Sequence, residues 1–173
     1  MPSCAGTTKE TPRPAAERRN DPVENPNLKA ELQCRIYPLN TLENYKYVVV
    51  CTFCRGQWIL SRHRQRSTWE TQGGHIEPGE LPIDAARREL FEESGISDAE
   101  LIPVCDYFGY NPRSSSTGVV FLALANAIGT LPESEMKEIR SFDVLPDALT
   151  YPHVTPVLIR EAARLLPEDQ PDN

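Results

Sequence analysis

Apolar positions along the chain follow two different periods, which predict where strands and helices lie. Short apolar runs bounded by turn residues are typical of strands, whereas recurrence at three and four residues is typical of an amphipathic helix. Strands are predicted near residues 32–37, 45–54, 58–60, 99–109, 118–125 and 136–143, with a hairpin turn at Arg55-Gly56-Gln57. Because helical segments are interspersed with these strands, the pattern predicts an α/β fold.

Two segments carry the helical period. The first runs from about residue 81 to 94, where Ile83, Ala86 and Leu90 form an apolar stripe. Pro82 suits the first turn of that helix, and Gly95 suits the position just past its end. The second helix is expected from about residue 156 to 166. Its predicted apolar side consists of Val157, Leu158, Ala162, Leu165 and Leu166.

A row of carboxylates lies on the first predicted helix. Glu89, Glu92 and Glu93 stand at i, i+3 and i+4, so a helix brings them to one face with neighbouring Cβ atoms about 5–6 Å apart. On a solvated surface this is an ordinary acidic helix, whereas in a cleft the mutual repulsion requires a cation. Carboxylate oxygens are the ligands that Mg²⁺ and Mn²⁺ prefer, so the second interpretation is a divalent-cation site.

The residues that surround this row favour the cation site. From Gly74 to Ile96 the chain has glycine, five residues, glutamate, seven residues, and then Arg-Glu-Leu-Phe-Glu-Glu-Ser-Gly-Ile. This pattern resembles the signature box of the Nudix hydrolases at every fixed position. Trp69 before the glycines and Leu149-Thr-Tyr-Pro152 before the last helix resemble the MutT-like nucleotide pyrophosphohydrolases of that family. The resemblance implies an α/β/α sandwich around a mixed β-sheet. It also implies hydrolysis of the diphosphate linkage of a nucleoside diphosphate derivative, with Mg²⁺ or Mn²⁺ as cofactor.

The same resemblance implies roles for individual residues of the box. Glu92 and Glu93 match metal ligands, and the backbone carbonyl of Gly73 matches a further ligand. Glu89 matches a position that either binds metal or acts as the general base, and Arg88 matches the arginine that orients it. Two further positions match supporting residues, Gly74 and Glu80.

Residues outside the box are candidates for completing the site. Glu135, with Glu138 as second choice, resembles a glutamate that adds a metal ligand from a later strand; a solvated acidic edge is the alternative. Phe142 is a candidate for contact with the substrate base, although Ser141 stands where many relatives have an aromatic residue. Gln72 stands where many members have proline, which puts the rigidity of the entry to the box in question. The cations that would lie near a polyphosphate, or else form a solvated turn, are Arg62, Arg64 and Arg66, with His63 among them.

Composition limits the remaining function classes. The net charge of −7 and the lack of a basic stripe argue against a nucleic-acid duplex as partner. No apolar window approaches a membrane span and no secretory or transit pattern is present, so a cytoplasmic protein without a membrane partner is expected. Residues 1–28 are proline-rich and polar and are expected to be a disordered tail, 29–166 the Nudix hydrolase domain, and 167–173 a flexible end.

The five cysteines do not indicate a disulfide framework, because their number is odd and no secretion signal accompanies them. The Cys51-x-x-Cys54 pair could belong to a zinc or redox site, but it lies in an apolar run that is typical of a strand. On a strand the two thiols would face opposite sides. Small buried residues are therefore the favoured interpretation.

The substrate and the oligomeric state stay open at this point. The expected substrate is a nucleoside triphosphate such as 8-oxo-dGTP, cleaved to monophosphate and pyrophosphate, and the alternatives are ADP-ribose and dinucleoside polyphosphates. A non-catalytic Nudix-like nucleotide-binding regulator is the alternative of another class, against which the complete set of box carboxylates argues. An isopentenyl diphosphate isomerase shares the fold, but the three histidines here do not cluster. A homodimer is compatible with the sequence.

Overall fold

The computed structural model describes residues 31–166, so the expectations for residues 1–28 and 167–173 lie outside the described residues. The predicted strands are confirmed with shifts of a few residues at their ends, and β4 is an addition to the prediction. The elements are β1 Gln33–Tyr37, β2 Tyr47–Cys54, β3 Gln57–His63, β4 Gln72–His75, α1 Pro82–Ser94, β5 Ala99–Tyr110, β6 Ser115–Ala125, β7 Met136–Phe142 and α2 Thr155–Ala163.

The strands of residues 31–166 form one mixed sheet in the order β1-β5-β6-β2-β3-β7, with β4 paired to β2. β2 and β6 run parallel, and the other pairings between these strands are antiparallel. β2 changes partner along one edge: Val50 pairs with Gln72 of β4, whereas Thr52 pairs with Ile59 of β3. β3 and β4 therefore share that edge, and both lie next to α1.

The two helices cover opposite faces of the sheet, as the side-chain alternation of β6 shows. Val119 and Phe121 belong to the buried cluster that includes α1, while Val120 and Leu122 belong to the cluster that includes α2. This alternation follows from the period of two along a strand. The predicted α/β/α sandwich around a mixed sheet is confirmed. No helix among residues 31–166 has the length and apolarity needed to cross a membrane.

Helix α1 has the predicted limits. Pro82 lies in its first turn, and Gly95 ends it with φ of 72° and an N–H that donates to the Phe91 carbonyl. This left-handed conformation is one that glycine adopts at little cost. Ala86 and Leu90 are buried between the helix and the sheet, and Ile83 is partly buried against the same cluster. The predicted apolar stripe is therefore confirmed.

Helix α2 differs from the prediction at its end. It stops at Ala163, and Leu165 lies beyond it with 44% of its surface exposed, so the assignment of Leu165 to the buried side is wrong. The residues that face the sheet are Leu158, Ile159 and Ala162. The prediction extended the helix by about one turn, and it did not include Ile159 in the buried side.

The cysteines of β2 are confirmed as small buried residues. Cys51 packs in the cluster under α2 and Cys54 in the cluster under α1, so the two thiols face opposite sides of the sheet. Within the described part of the chain, Cys34, Cys51, Cys54 and Cys105 are free thiols. The Cys51-x-x-Cys54 spacing therefore does not form a common site.

Candidate active site

Glu93 is the buried carboxylate at the junction of α1 and β4. Only 7% of its surface is exposed, and its Oε2 accepts a hydrogen bond from the Gly73 N–H at 2.8 Å. Burial raises the pKa of Glu93 well above its ordinary value, and the charges of Glu89, Glu70 and Glu135 act in the same direction. A carboxyl group in this position needs either a proton or a nearby cation.

Glu89 lies one turn before Glu93 on the same helix, directly over β4. Burial raises its pKa, while the hydrogen bond from Arg88 acts in the opposite direction. Gly74 leaves the space that the Glu89 carboxylate occupies, because a Cβ on Gly74 would come 2.6 Å from the Glu89 Cδ atom. A side chain larger than that of glycine at position 74 would therefore displace the Glu89 carboxylate.

Arg88 ties the carboxylates of the box together. Its Nε and one terminal nitrogen donate to the two oxygens of Glu80, each at 2.9 Å, and the other terminal nitrogen donates to Glu89 Oε1 at 2.7 Å. The terminal nitrogen that binds Glu80 also donates to the His75 carbonyl at 3.0 Å. The hydrogen bonds from Arg88 lower the pKa of Glu80 to about 2. A planar guanidinium can make these contacts together because its donors are fixed in a fork.

Glu92 differs from the other two carboxylates of the row. Its side chain is 52% exposed and lies 3.4 Å from the nearest Arg88 nitrogen. The row therefore extends from a buried carboxylate, Glu93, through a half-buried one, Glu89, to an exposed one, Glu92.

Glu135 belongs to the same cluster although it is distant in sequence. It lies just before β7, and its Oε2 is 3.2 Å from Nε2 of His63 on β3. Nδ1 of His63 accepts a hydrogen bond from the Gln65 N–H, so the ring proton is on Nε2 and points to Glu135. The charge of Glu135 acts on both Glu89 and Glu93. The second choice, Glu138, instead pairs with Arg62 and Arg140.

The three arginines before the box contact other protein groups. Arg62 belongs to β3 and lies over the ring of Trp69, 4.7 Å from its centroid. Arg64 donates to the Ser134 carbonyl at 2.8 Å, and Arg66 binds both oxygens of Glu70. The structure thus places this segment partly in a strand, and its arginines are held by ion pairs and hydrogen bonds.

Phe142 is the last residue of β7, and its ring packs edge-on against Trp69 with centroids 5.1 Å apart. Trp69 is buried, and the guanidinium groups of Arg62 and Arg140 also lie over its ring. This arrangement could not be predicted from the sequence, because it depends on the pairing of β3 with β7.

Sequence reasoning also missed two buried polar residues beside the site, Glu70 and Ser61. Their backbones pair with each other, and the Ser61 hydroxyl donates to the backbone carbonyl of Glu93. In the sequence, Glu70 is only part of the segment that leads into the box, and nothing there indicates that it is buried near Glu93. Its approach to Glu93 depends on how the segment between β3 and β4 folds back.

The donor set fits a divalent cation in its chemistry. Glu93 is a buried carboxylate beside Glu89 and Glu135, and oxygen ligands of this kind suit Mg²⁺ and Mn²⁺. In residues 31–166 no three histidine, cysteine or acidic side chains are already arranged as a complete chelate. The side chains of Glu92 and Glu135 are exposed, at 52% and 69%.

Comparison with solved structures gives the class of the fold. The pyrophosphohydrolase BsRppH of Bacillus subtilis matches with a TM-score of 0.65 and 21% identity, over 77% of this chain and 90% of that one. A hydrolase of the NUDIX family from Clostridium perfringens matches with a TM-score of 0.60 and 24% identity, over 73% of this chain and 100% of that one. These matches show that the sandwich is a Nudix fold.

The family itself is shown by the sequence match. A family model for the NUDIX domain matches residues 44–157. This range contains the box, helix α1 and strands β2 to β7. The chain belongs to the Nudix family.

Curated relatives match over shorter segments. An RNA pyrophosphohydrolase of Bartonella clarridgeiae is 52% identical over 44 residues, which are 25% of this chain and 25% of that protein. An 8-oxo-dGDP phosphatase of Mus musculus is 35% identical over 66 residues, 35% of this chain and 20% of that protein. The chain thus spans about a quarter or less of the length of these relatives.

Proposed function

We propose that the protein is a divalent-metal-dependent pyrophosphohydrolase that cleaves the diphosphate linkage of a nucleoside diphosphate derivative. The observation that carries this proposal is the buried Glu93 carboxylate, fixed by the Gly73 N–H beside Glu89 and Arg88. Family membership supports the same reaction class. Mg²⁺ or Mn²⁺ is the proposed cation.

The ligands that would hold the cation are Glu92 and Glu93, with the Gly73 carbonyl and Glu135 as further donors. When bound, it would polarise the phosphate oxygens and the attacking water. Glu89 would either join these ligands or accept the proton of that water as general base. Arg88 keeps the Glu89 carboxylate in one orientation through its hydrogen bond, and Glu80 holds the guanidinium from the other side.

The proposed substrate is a nucleoside triphosphate such as 8-oxo-dGTP, cleaved to monophosphate and pyrophosphate. Relatives named for oxidised guanine nucleotides support this choice, including a putative 8-oxo-dGTP diphosphatase of Bacillus subtilis that is 45% identical over 47 residues. A second candidate is an RNA end that carries a 5′-triphosphate, which the match of 52% identity to an RNA pyrophosphohydrolase favours. Both substrates contain a triphosphate group, and in both the bond to be cleaved is a diphosphate linkage.

A substrate panel tests this proposal. The protein is incubated with Mg²⁺ or Mn²⁺ and 8-oxo-dGTP, dGTP, ADP-ribose, a dinucleoside polyphosphate or a 5′-triphosphate RNA oligomer, and the products are scored for pyrophosphate and monophosphate. We expect cleavage of at least one triphosphate, and a loss of about 100-fold or more in Glu92→Gln if Glu92 is a ligand. Glu100→Gln, an exposed residue of β5 outside the site, is the matched control.

Two results would contradict the proposal. If no compound of the panel is cleaved, the regulator interpretation takes its place, and nucleotide binding without turnover would support it. If Glu92→Gln cleaves as fast as wild type, Glu92 is not a ligand. A Glu89→Gln variant with full turnover would remove Glu89 from the role of base.

A further inference from the structure

A chain of buried hydrogen bonds links β2, β4 and β3 to the end of α1. The Thr52 hydroxyl donates to Gln72 Oε1, Gln72 Nε2 donates to the Ser61 oxygen, and the Ser61 hydroxyl donates to the Glu93 backbone carbonyl, each at 2.7 Å. Thr52, Gln72 and Ser61 are each 0% exposed. The chain has one direction, because a carbonyl only accepts and the Ser61 proton must therefore point to Glu93.

The carbonyl at the end of this chain belongs to the last turn of α1. The final carbonyls of a helix have no N–H partner within the helix. The Glu93 carbonyl lies in this last turn and accepts its hydrogen bond from the Ser61 hydroxyl of β3. A buried carbonyl without a donor is unfavourable, so the hydrogen bond from Ser61 holds the end of the helix at one height over the sheet.

Glu93 is held at its other end by the residue that follows Gln72. Its carboxylate accepts the hydrogen bond from the Gly73 N–H at 2.8 Å. Gln72 is therefore connected to both ends of Glu93. Its side chain binds Ser61, which donates to the Glu93 backbone carbonyl, and the residue after it, Gly73, donates to the Glu93 carboxylate. The backbone of β4 and the backbone of α1 cannot shift relative to each other without breaking one of these bonds.

We infer that Gln72 is a positioning residue, which with Ser61 sets the place of the Glu93 carboxylate as a metal ligand. The inference rests on the proposed function, because it takes Glu93 as a ligand. The buried hydrogen bonds of the Gln72 side chain connect the entry to the box with β2 and β3. Residues that orient a ligand from behind contribute about 10–100-fold to metal affinity.

The test measures Mn²⁺ affinity of the full chain by calorimetric titration without nucleotide. Gln72→Met keeps a side chain of similar length but removes its hydrogen bonds to Thr52, Ser61 and the Ile59 carbonyl. Ser61→Ala removes the final donor. We expect each to weaken Mn²⁺ binding about 10–100-fold, and to leave the KM for nucleotide near the wild-type value at saturating Mn²⁺. Thr155→Val is the matched control, because Thr155 is equally buried but lies in α2, on the other face of the sheet.

The outcomes separate this inference from the proposed function. If wild type binds no Mn²⁺ and cleaves no nucleotide, the proposed function fails and the inference fails with it. If wild type binds Mn²⁺ and either folded variant binds it equally tightly, the positioning role is overturned while the proposed function stands. Equal weakening in Thr155→Val would also overturn it, because the effect would then reflect general destabilisation.

Discussion

Gly74 and Glu89 are in such close contact that no larger residue fits at position 74 without moving the carboxylate. A Cβ there would come 2.6 Å from the Glu89 Cδ atom and 2.8 Å from Oε2, well inside normal contact distance. The backbone of β4 thus forms the surface on which the Glu89 side chain rests. The position of this carboxylate is set jointly by that surface and by the hydrogen bond from Arg88.

Gly74→Ala is expected to displace Glu89 and lower kcat about 100-fold, because a displacement of about 1 Å at a catalytic group has an effect of that size. The change affects the side chain alone, since the φ of Gly74 is outside the left-handed region. Steady-state kinetics with the substrate found in the panel measures it. Gly56→Ala is the control: its φ of 82° makes alanine strained, but nothing lies within 4 Å of the new Cβ. It should lose stability and keep its kcat. A Gly74→Ala enzyme with wild-type kcat would show that Glu89 is free to move without effect.

Glu93→Gln is expected to stabilise the metal-free protein while removing its response to metal. The folded-state pKa of Glu93 is raised, so the protonated carboxyl group stabilises the fold below the ordinary pKa, and that contribution is lost as pH rises from the ordinary pKa through the raised one. At pH 7.5 in a chelator, a neutral amide that can still accept from the Gly73 N–H should raise Tm by roughly 3 °C, which corresponds to about 1 kcal/mol. Addition of Mg²⁺ should then raise the Tm of wild type but not that of the variant.

Glu92→Gln is the matched control for that measurement. Because its side chain is 52% exposed, its charge is already solvated, and the Tm in chelator should stay near that of wild type. The explanation would be wrong if Glu93→Gln melted below wild type in chelator or gained as much from Mg²⁺.

Arg88→Lys is expected to lower kcat about 10–100-fold, because an ammonium group cannot reproduce the fork that binds Glu80 and Glu89 together. The KM should change less, since Arg88 acts on Glu89 rather than on the nucleotide. Arg87→Lys, an exposed neighbour on the same helix, should be indistinguishable from wild type in both constants. Equal kinetics for the two lysine variants would remove the orienting role from Arg88.

The parts of the fold that the sequence predicted are those that depend on neighbouring residues. Helix α1 follows from its apolar stripe and from Pro82 and Gly95 at its ends, and its carboxylates share a face because of the helical period. Arg88 and Glu89 are adjacent in the sequence, so their contact is local as well. The roles assigned to these residues remain predictions.

The parts that the sequence did not predict depend on contacts between distant segments. β4 contains Gly73 and Gly74 and has little strand propensity of its own, so its pairing with β2 decides its conformation. The approach of His63 to Glu135 is another case, since these residues are 72 positions apart. The buried hydrogen bonds of Gln72 are a third case, because they require β2, β3 and β4 to be in place.

A hydrogen bond in the loop before β2 should make the stability of the fold depend on pH, independently of the candidate active site. Tyr45 donates its hydroxyl to Asp106 Oδ1 at 2.8 Å, and Asp106 also accepts the N–H groups of Thr41 and Leu42. Burial and the bond to Asp106 raise the pKa of Tyr45 to about 12. A raised pKa means that the neutral phenol stabilises the folded state below its ordinary pKa of about 10, and that this contribution is lost as pH rises from about 10 through about 12.

Tyr45→Phe should therefore lower the free energy of unfolding by about 1.5–3 kcal/mol at pH 8, the range for a hydrogen bond to a charged group. The difference between wild type and variant should narrow between pH 10 and pH 12, because wild type loses the bond there and the variant has none to lose. Urea unfolding followed by circular dichroism at intervals of pH measures both curves. A difference that stayed constant up to pH 12 would mean that the phenol–carboxylate bond does not anchor this loop, and that the backbone donors of Thr41 and Leu42 hold it to Asp106.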